Sequence, residues 1–333
     1  MTTPNSKNFC GGNFQDWLEV NLLEQCNAKC SWCIERNGYH PDFHASVEVI
    51  AEEAIKTGKT NIILLGGEPL LYKELKKLIQ LLVKANRKVW ITTNGFLLSP
   101  KFVFENLQGI TGVNISIHDF DMSRNKEITK ILIDENNLIL AIASMQLFEI
   151  NVRMNCNVIK NHIDSASKIV EYVRWVKTIG ANKIRFAELK NEEGDFVDLA
   201  EILNHKYGLN DNPFLEGCNS DCVIEDIPVN FRQMCGLQTS RRVKPEDPEQ
   251  ETKEVLYYDG KIYNGWQTIK KENDMETNKL EKIVKSLTGG KLSDDEVENL
   301  VALFSEVIKT EVAKTPKEIV TRVVHESSGG CCY

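Results

Sequence analysis

The sequence has no apolar run long enough to cross a bilayer. Its longest, NIILLGG and LILAIAS, fall well short of the roughly 20 residues a membrane helix needs. It also lacks an excess of basic charge. Forty Lys and Arg stand against 48 Asp and Glu, for a formal charge of −8. That balance gives no general electrostatic grip on nucleic acid. The opening MTTPNSKNF shows neither the basic nor the apolar region of a secretory signal, so a cytoplasmic location with no membrane partner is expected. There is no whole-chain repeat and no low-complexity tract. What the chain has in number is cysteine, ten residues in all. In a reducing compartment a disulfide framework is not the natural use of ten thiols, and metal or redox chemistry is.

From Trp17 the chain alternates β-rich runs with helix-length amphipathic segments. Strands are predicted at 17–23, 60–65, 88–93, 112–117, 149–159 and 182–189, with helices near 45–57, 71–86, 100–108, 123–147 and 163–179. Such alternation argues for parallel βα units with right-handed crossovers. The expected fold is α/β, a partial (β/α)6 TIM-type barrel followed by a smaller irregular α+β domain. The domain reading is an N-terminal segment (1–16), a core (17–190), a second domain (191–325) and a Cys-containing tail (326–333). Beyond Leu189 the chain turns polar and irregular. VLYYDGKIYNGW then predicts a hairpin with a type I′ turn at Asp259-Gly260. Two helices are expected near 276–287 and 293–314, the second opened by the capping box SDDE.

CNAKCSWC, Cys26 to Cys33, places three thiols on one loop just after the first predicted strand. That is the end of a strand where barrel active sites are built. Three thiolates can each hold one corner of a [4Fe–4S] cluster, which normally takes four, and so leave one iron open. The alternative is a zinc knuckle that borrows His40 or His44 as its fourth ligand.

Two further motifs follow in order: GGEP (Gly66 to Pro69) after the second strand and TTNG (Thr92 to Gly95) after the third. With CNAKCSWC, a CxxxCxφC pattern in which φ is aromatic, they resemble the radical S-adenosylmethionine (SAM) superfamily over residues 17–190. The resemblance implies that Cys26, Cys30 and Cys33 ligate three irons while the amino and carboxylate groups of SAM chelate the fourth. Trp32 is expected beside the adenine end of SAM. Gly66 and Gly67 are expected to let the backbone approach the ligand, and Glu68 to meet the methionine ammonium group. Ser116 matches a position that often bonds the SAM ribose or carboxylate. Arg153 and Asn155, two apart on the fifth strand, share a face and are either SAM contacts or barrel-interior residues. Arg185 resembles a last-strand position of the molybdenum-cofactor GTP cyclases, and His118 either faces substrate or serves structure. Reductive cleavage of SAM to methionine and a 5′-deoxyadenosyl radical, which takes hydrogen from a substrate, is the implied chemistry. An electron donor such as flavodoxin or ferredoxin is the implied partner.

Of the other cysteines, Cys156 reads as a buried small hydrophobe. Cys218, Cys222 and Cys235, followed by the hairpin, resemble the Twitch/SPASM extensions that bind a second Fe–S cluster. The sequence departs from that pattern where the hairpin cysteine should stand, since Gly265 is there. An open iron, completion by Cys10 or by the tail's Cys331 and Cys332, or zinc are the readings left open. The expected substrate is a ribosomal peptide, by analogy alone. A nucleotide or other small molecule is the alternative, and a zinc-binding Cys-rich scaffold or regulatory protein is the rival of another class.

Overall fold

The computed structural model describes residues 16–33, 35, 38–189, 195–206, 219–233 and 254–266. Six parallel strands run in sequence order: β1 (Trp17–Asn21), β2 (Asn61–Leu65), β3 (Lys88–Thr93), β4 (Gly112–Ser116), β5 (Asn151–Asn157) and β6 (Lys183–Ala187). Helices α1 (Val47–Lys56), α2 (Leu75–Lys84), α3 (Pro100–Asn106), α4 (Met122–Thr129), α5 (Glu135–Leu147), α6 (Ala166–Thr178) and α7 (Leu199–Lys206) lie between and after them. The βα alternation is the one expected, and the sheet does not close into a full barrel.

The predicted helix over 123–147 is two helices. Lys130 turns left-handed at φ 67° and ends α4, and the Asp134 side chain caps α5 by accepting from Asn137 N at 3.2 Å. Two strong capping signals outweigh the continuous apolar pattern between them.

The boundary expected near residue 190 does not appear as a break in the sheet. Strand β8 (Ile227–Arg232) pairs parallel with β6, and β9 (Glu254–Tyr257) pairs parallel with β1. Each carries an antiparallel partner, β7 (Asn219–Ile224) on β8 and β10 (Ile262–Asn264) on β9. The sheet thus has ten strands, in the order β10-β9-β1-β2-β3-β4-β5-β6-β8-β7. Apart from Gly38 and Tyr39, the described residues belong to one compact unit. The β7–β8 hairpin, read from sequence as irregular, turns at Glu225 and Asp226, both left-handed (φ 50° and 66°) as a type I′ turn requires. Arg174 of α6 holds Glu225 through Nε and a terminal nitrogen (3.1 and 2.7 Å), which steadies a turn that contains no glycine. In the β9–β10 turn only Gly260 is left-handed (φ 80°), so it is not the type I′ turn expected. Cys10, Cys218, Cys235, Cys331, Cys332 and the two C-terminal helices fall outside the described residues.

Period-two alternation divides the sheet into two faces. On β5, Val152, Met154 and Cys156 are buried toward the helices, while Arg153, Asn155 and Asn157 are half-buried on the other face. Helix α2 buries Leu75, Leu78, Ile79 and Leu82, the i, i+3, i+4, i+7 stripe of an amphipathic helix. Four such side chains contribute roughly 6–12 kcal/mol of gross burial free energy, and Leu78→Ala would cost about 2–5 kcal/mol. The helical layer therefore anchors the strands, and the loops at their carboxyl ends are set by a rigid base. Among the described residues no helix is long and apolar enough to cross a membrane.

Candidate active site

The three motifs lie side by side because β1, β2 and β3 do. The β1–β2 ladder continues past the strands into the cysteine loop: Leu22 N donates to Leu65 O (3.0 Å), Gly67 N to Leu23 O (2.7 Å) and Glu68 N to Gln25 O (2.8 Å). A Cβ on Gly66 would stand 2.7 Å from Leu23 O, and one on Gly67 would stand 2.2 Å from Gln25 O. The glycines were expected to admit a ligand. They also admit the backbone of the cysteine loop, and any side chain there would push that loop away.

Glu68 likewise has a role within the protein. Its carboxylate is buried and accepts three hydrogen bonds, at Oε1 from Thr93 Oγ1 (2.6 Å) and Leu70 N (3.0 Å), and at Oε2 from Asn94 N (2.8 Å). Burial pushes its pKa up, and the three donors pull the other way. Three of about four acceptor positions on the carboxylate are thus filled by protein, which ties the GGEP loop to TTNG.

The cysteine loop itself is held at both ends. Asn94 Nδ2 donates to Asn27 Oδ1 at 2.7 Å and reaches Cys26 Sγ at 3.9 Å, while Ala28 N donates to the same sulfur at 3.4 Å. Lys29 N donates to Thr129 O at the end of α4 (2.8 Å), and Cys33 N to Cys30 O (3.3 Å). All three cysteines are free thiols, Cys26 exposed and Cys30 and Cys33 partly so. Burial raises the Cys26 pKa, and the Glu68 and Cys33 charges add to that; the Ala28 and Asn94 donors oppose it. Trp32 packs on Ile128, Ile159 and Leu189 and meets the His118 ring edge-on at 5.4 Å. His118 is structural on this evidence. It is 6% exposed, accepts from Asn157 N at 3.1 Å, and burial, with the nearby His162, pushes its pKa down to about 4.

The donor set suits an iron–sulfur cluster. Asn27 Nδ2, next to Cys26, is buried with no acceptor, and a sulfur of a bound cluster would supply one. Among the described residues no three His, Cys, Asp or Glu side chains gather around the position of one ion. Behind the loop lies Glu35, whose carboxyl is pushed up to about 7, first by burial and then by Glu24, against a 2.9 Å bond from Asn21 Nδ2.

Across the sheet the polar face changes character. Ser116, Asn155, Arg185, Asn230 and Asp221 stand opposite one another in register on β4, β5, β6, β8 and β7. Arg153 Nε donates to Asn155 Oδ1 (3.1 Å), Arg185 Nε to Asn230 Oδ1 (2.9 Å), and Asn230 Nδ2 to Asp221 Oδ1 (2.8 Å). Arg153, Arg185 and Arg232 lie within each other's fields. Burial and then Arg232 hold Arg153 down to about 10; burial, Arg153 and Arg232 lower Arg185 well below its usual value, with Asp221 opposing. Next to Arg153 in register, Asn114 leaves its buried Oδ1 without a donor. Asn230 and Arg232 escaped the sequence reading, although the alternation in IPVNFR marks both as lying on one face of a strand. Asn27 and Asn94 escaped it too, because nothing in single residues announces a contact between loops. Of the second cysteine group only Cys222 is described, exposed on β7.

Residues 20–146 match the family model of the Radical SAM superfamily. Over that segment the chain is similar to this superfamily, whose members use a [4Fe–4S] cluster and S-adenosylmethionine. The chain is similar to molybdenum cofactor biosynthesis protein 1 of Dictyostelium discoideum, 27% identical over 57% of this chain and 32% of that one. It is also similar to a GTP 3′,8-cyclase of Aquifex aeolicus, 22% identical over 73% of this chain and 71% of that one. A GTP 3′,8-cyclase of Stenotrophomonas maltophilia is 36% identical over 34% of this chain and 37% of its own length. The chain thus spans only about a third of the first and third of these relatives. Among solved structures, Streptococcus suis SuiB bound to S-adenosylmethionine aligns with a TM-score of 0.53 at 19% identity, over 75% of this chain and 60% of that one, a likeness of fold.

Proposed function

We propose that the chain is a radical SAM enzyme whose Cys26, Cys30 and Cys33 each bind one iron of a [4Fe–4S] cluster, with SAM on the fourth. The observation that carries this reading is the three-loop arrangement: free thiols on the loop after β1, held by hydrogen bonds from the loops after β2 and β3. When bound, the cluster supplies the electron that cleaves SAM to methionine and a 5′-deoxyadenosyl radical, drawn from a low-potential donor such as flavodoxin or ferredoxin. The protein's part is to fix the loop, cover one side with Trp32 and orient SAM through Ser116, Arg153 and Asn155. Glu68 acts by holding the GGEP and TTNG loops together, with one acceptor position left for the methionine ammonium group.

The substrate we propose is a nucleotide or a similarly anionic small molecule. Arg185 and Arg232 would take its negative end, relieving the repulsion among three neighbouring guanidiniums. The names of the sequence relatives, GTP 3′,8-cyclases, support this over the ribosomal peptide expected at first. A second cluster at Cys218, Cys222 and Cys235 stays part of the proposal on sequence grounds.

Anaerobic reconstitution with iron, sulfide, SAM and reductant tests this reading, with 5′-deoxyadenosine as the readout. Purine nucleoside triphosphates should raise its rate severalfold over the basal level. A colourless protein that retains zinc would reject the cluster, and stimulation by peptides but not by nucleotides would reject the substrate class.

A further inference from the structure

The three motif loops are joined through one residue, Asn94. Its backbone N–H donates to Glu68 of GGEP at 2.8 Å, and its side-chain Oδ1 accepts from Phe96 N at 3.0 Å. The second bond fixes the orientation of the amide, because only oxygen can accept there. Nδ2 must therefore point to the cysteine loop, where it lies 2.7 Å from Asn27 Oδ1 and 3.9 Å from Cys26 Sγ. Glu68 in turn binds Thr93 Oγ1, and Thr93 Oγ1 also accepts from Gly95 N at 3.1 Å, so the backbone on both sides of Asn94 is fixed. Few side chains have so little freedom to point elsewhere.

We propose that Asn94 is a positioning residue that holds the Cys26 end of the loop and donates an N–H to the Cys26 sulfur when that sulfur is a cluster ligand. The inference rests on the cluster assignment made above. A hydrogen bond to a ligand sulfur stabilises the reduced, more negative cluster and so raises its reduction potential. Asn94 therefore makes it easier to load the electron that cleaves SAM. The bond to Asn27 has a separate task, holding the loop without touching a sulfur.

An EPR-monitored redox titration tests the role of Asn94, following the cluster signal that changes on addition of SAM. Wild type, Asn94→Leu, Asn94→Asp and Asn27→Ala would be reconstituted side by side. Asn94→Leu keeps the volume and removes the donor. Asn94→Asp keeps the acceptor for Phe96 N and replaces the donor with an oxygen, so it serves even where Asn94→Leu fails to fold. Both Asn94 variants should bind the same iron as wild type, titrate at a more negative potential, and show a severalfold smaller reduced fraction at a fixed reductant potential. Asn27→Ala removes a second donor, its own Nδ2, together with the acceptor for Asn94, so it should shift the potential the same way and take up iron more slowly. An intact, SAM-responsive cluster with wild-type potential in the Asn94 variants would overturn the proposal and leave the cluster assignment standing. Failure of wild type to form any SAM-responsive cluster would overturn both.

Discussion

The two halves of the sheet's polar face are built on opposite terms. At the ends of β1 to β3 the motif loops are bonded to one another: Glu68 has three donors, Asn94 four contacts, and the cysteine loop is tied down on both sides. On β5, β6 and β8 three guanidiniums crowd one another, and Arg153 and Arg185 meet amide oxygens. The first half is organised before anything binds. The second half carries like charges whose repulsion an anion would relieve. A site that must hold a reactive cluster in fixed geometry benefits from rigid loops, whereas a site that must select an anionic substrate benefits from clustered positive charge.

Variants should therefore fail differently on the two sides. The largest effect expected is from Cys30→Ala, which should abolish 5′-deoxyadenosine formation and lower the iron content by about four per chain, from about eight with two clusters or about four with one. Iron and product assays on the same preparation check this together. Glu68→Gln comes next. It keeps the shape but sets an NH2 group against one of three buried donors, so the metal-free protein should lose roughly 2–4 kcal/mol in urea unfolding and take up cluster poorly. Arg185→Met should behave in the reverse manner. Urea stability should hold within about 1 kcal/mol, while the nucleotide concentration giving half-maximal stimulation rises about 10- to 100-fold. A matching loss of stability there would erase the contrast between the halves.

The last expected effect concerns pH. His118 titrates near 6.5 in the unfolded chain and about 4 in the folded one, so the folded protein keeps it neutral. Its contribution to stability is full above pH 6.5 and is lost as pH falls toward 4, where the unfolded chain binds the extra proton. The drop amounts to about 3 kcal/mol. His118→Gln should flatten that part of the metal-free protein's stability–pH curve, as measured by denaturant midpoints.

The sequence made the first half far more legible than the second. CNAKCSWC, GGEP and TTNG are contiguous, each follows a strand whose apolar pattern is plain, and their order alone places them together. The contacts inside those motifs were not legible: Gly66 and Gly67 accommodate the cysteine loop, and Glu68 bonds its neighbours. Such partners lie 25 to 68 residues apart in the chain, as Glu68 does from Thr93 and Cys26 from Asn94. The arginine face was less legible still, because Arg232 and Asn230 enter through β8, which pairs with β6 although other elements intervene in the chain. The hairpin turn at Glu225-Asp226 hid that strand, since it lacks the glycine or asparagine that usually marks a type I′ turn.

The measurement that bears most directly on the account is 5′-deoxyadenosine production by the anaerobically reconstituted protein, with reductant and SAM, with and without a purine nucleoside triphosphate. Product should require reductant, rise severalfold with nucleotide, and disappear in Cys30→Ala. Product that persists in Cys30→Ala, or none from a wild-type protein carrying its full iron, would contradict it.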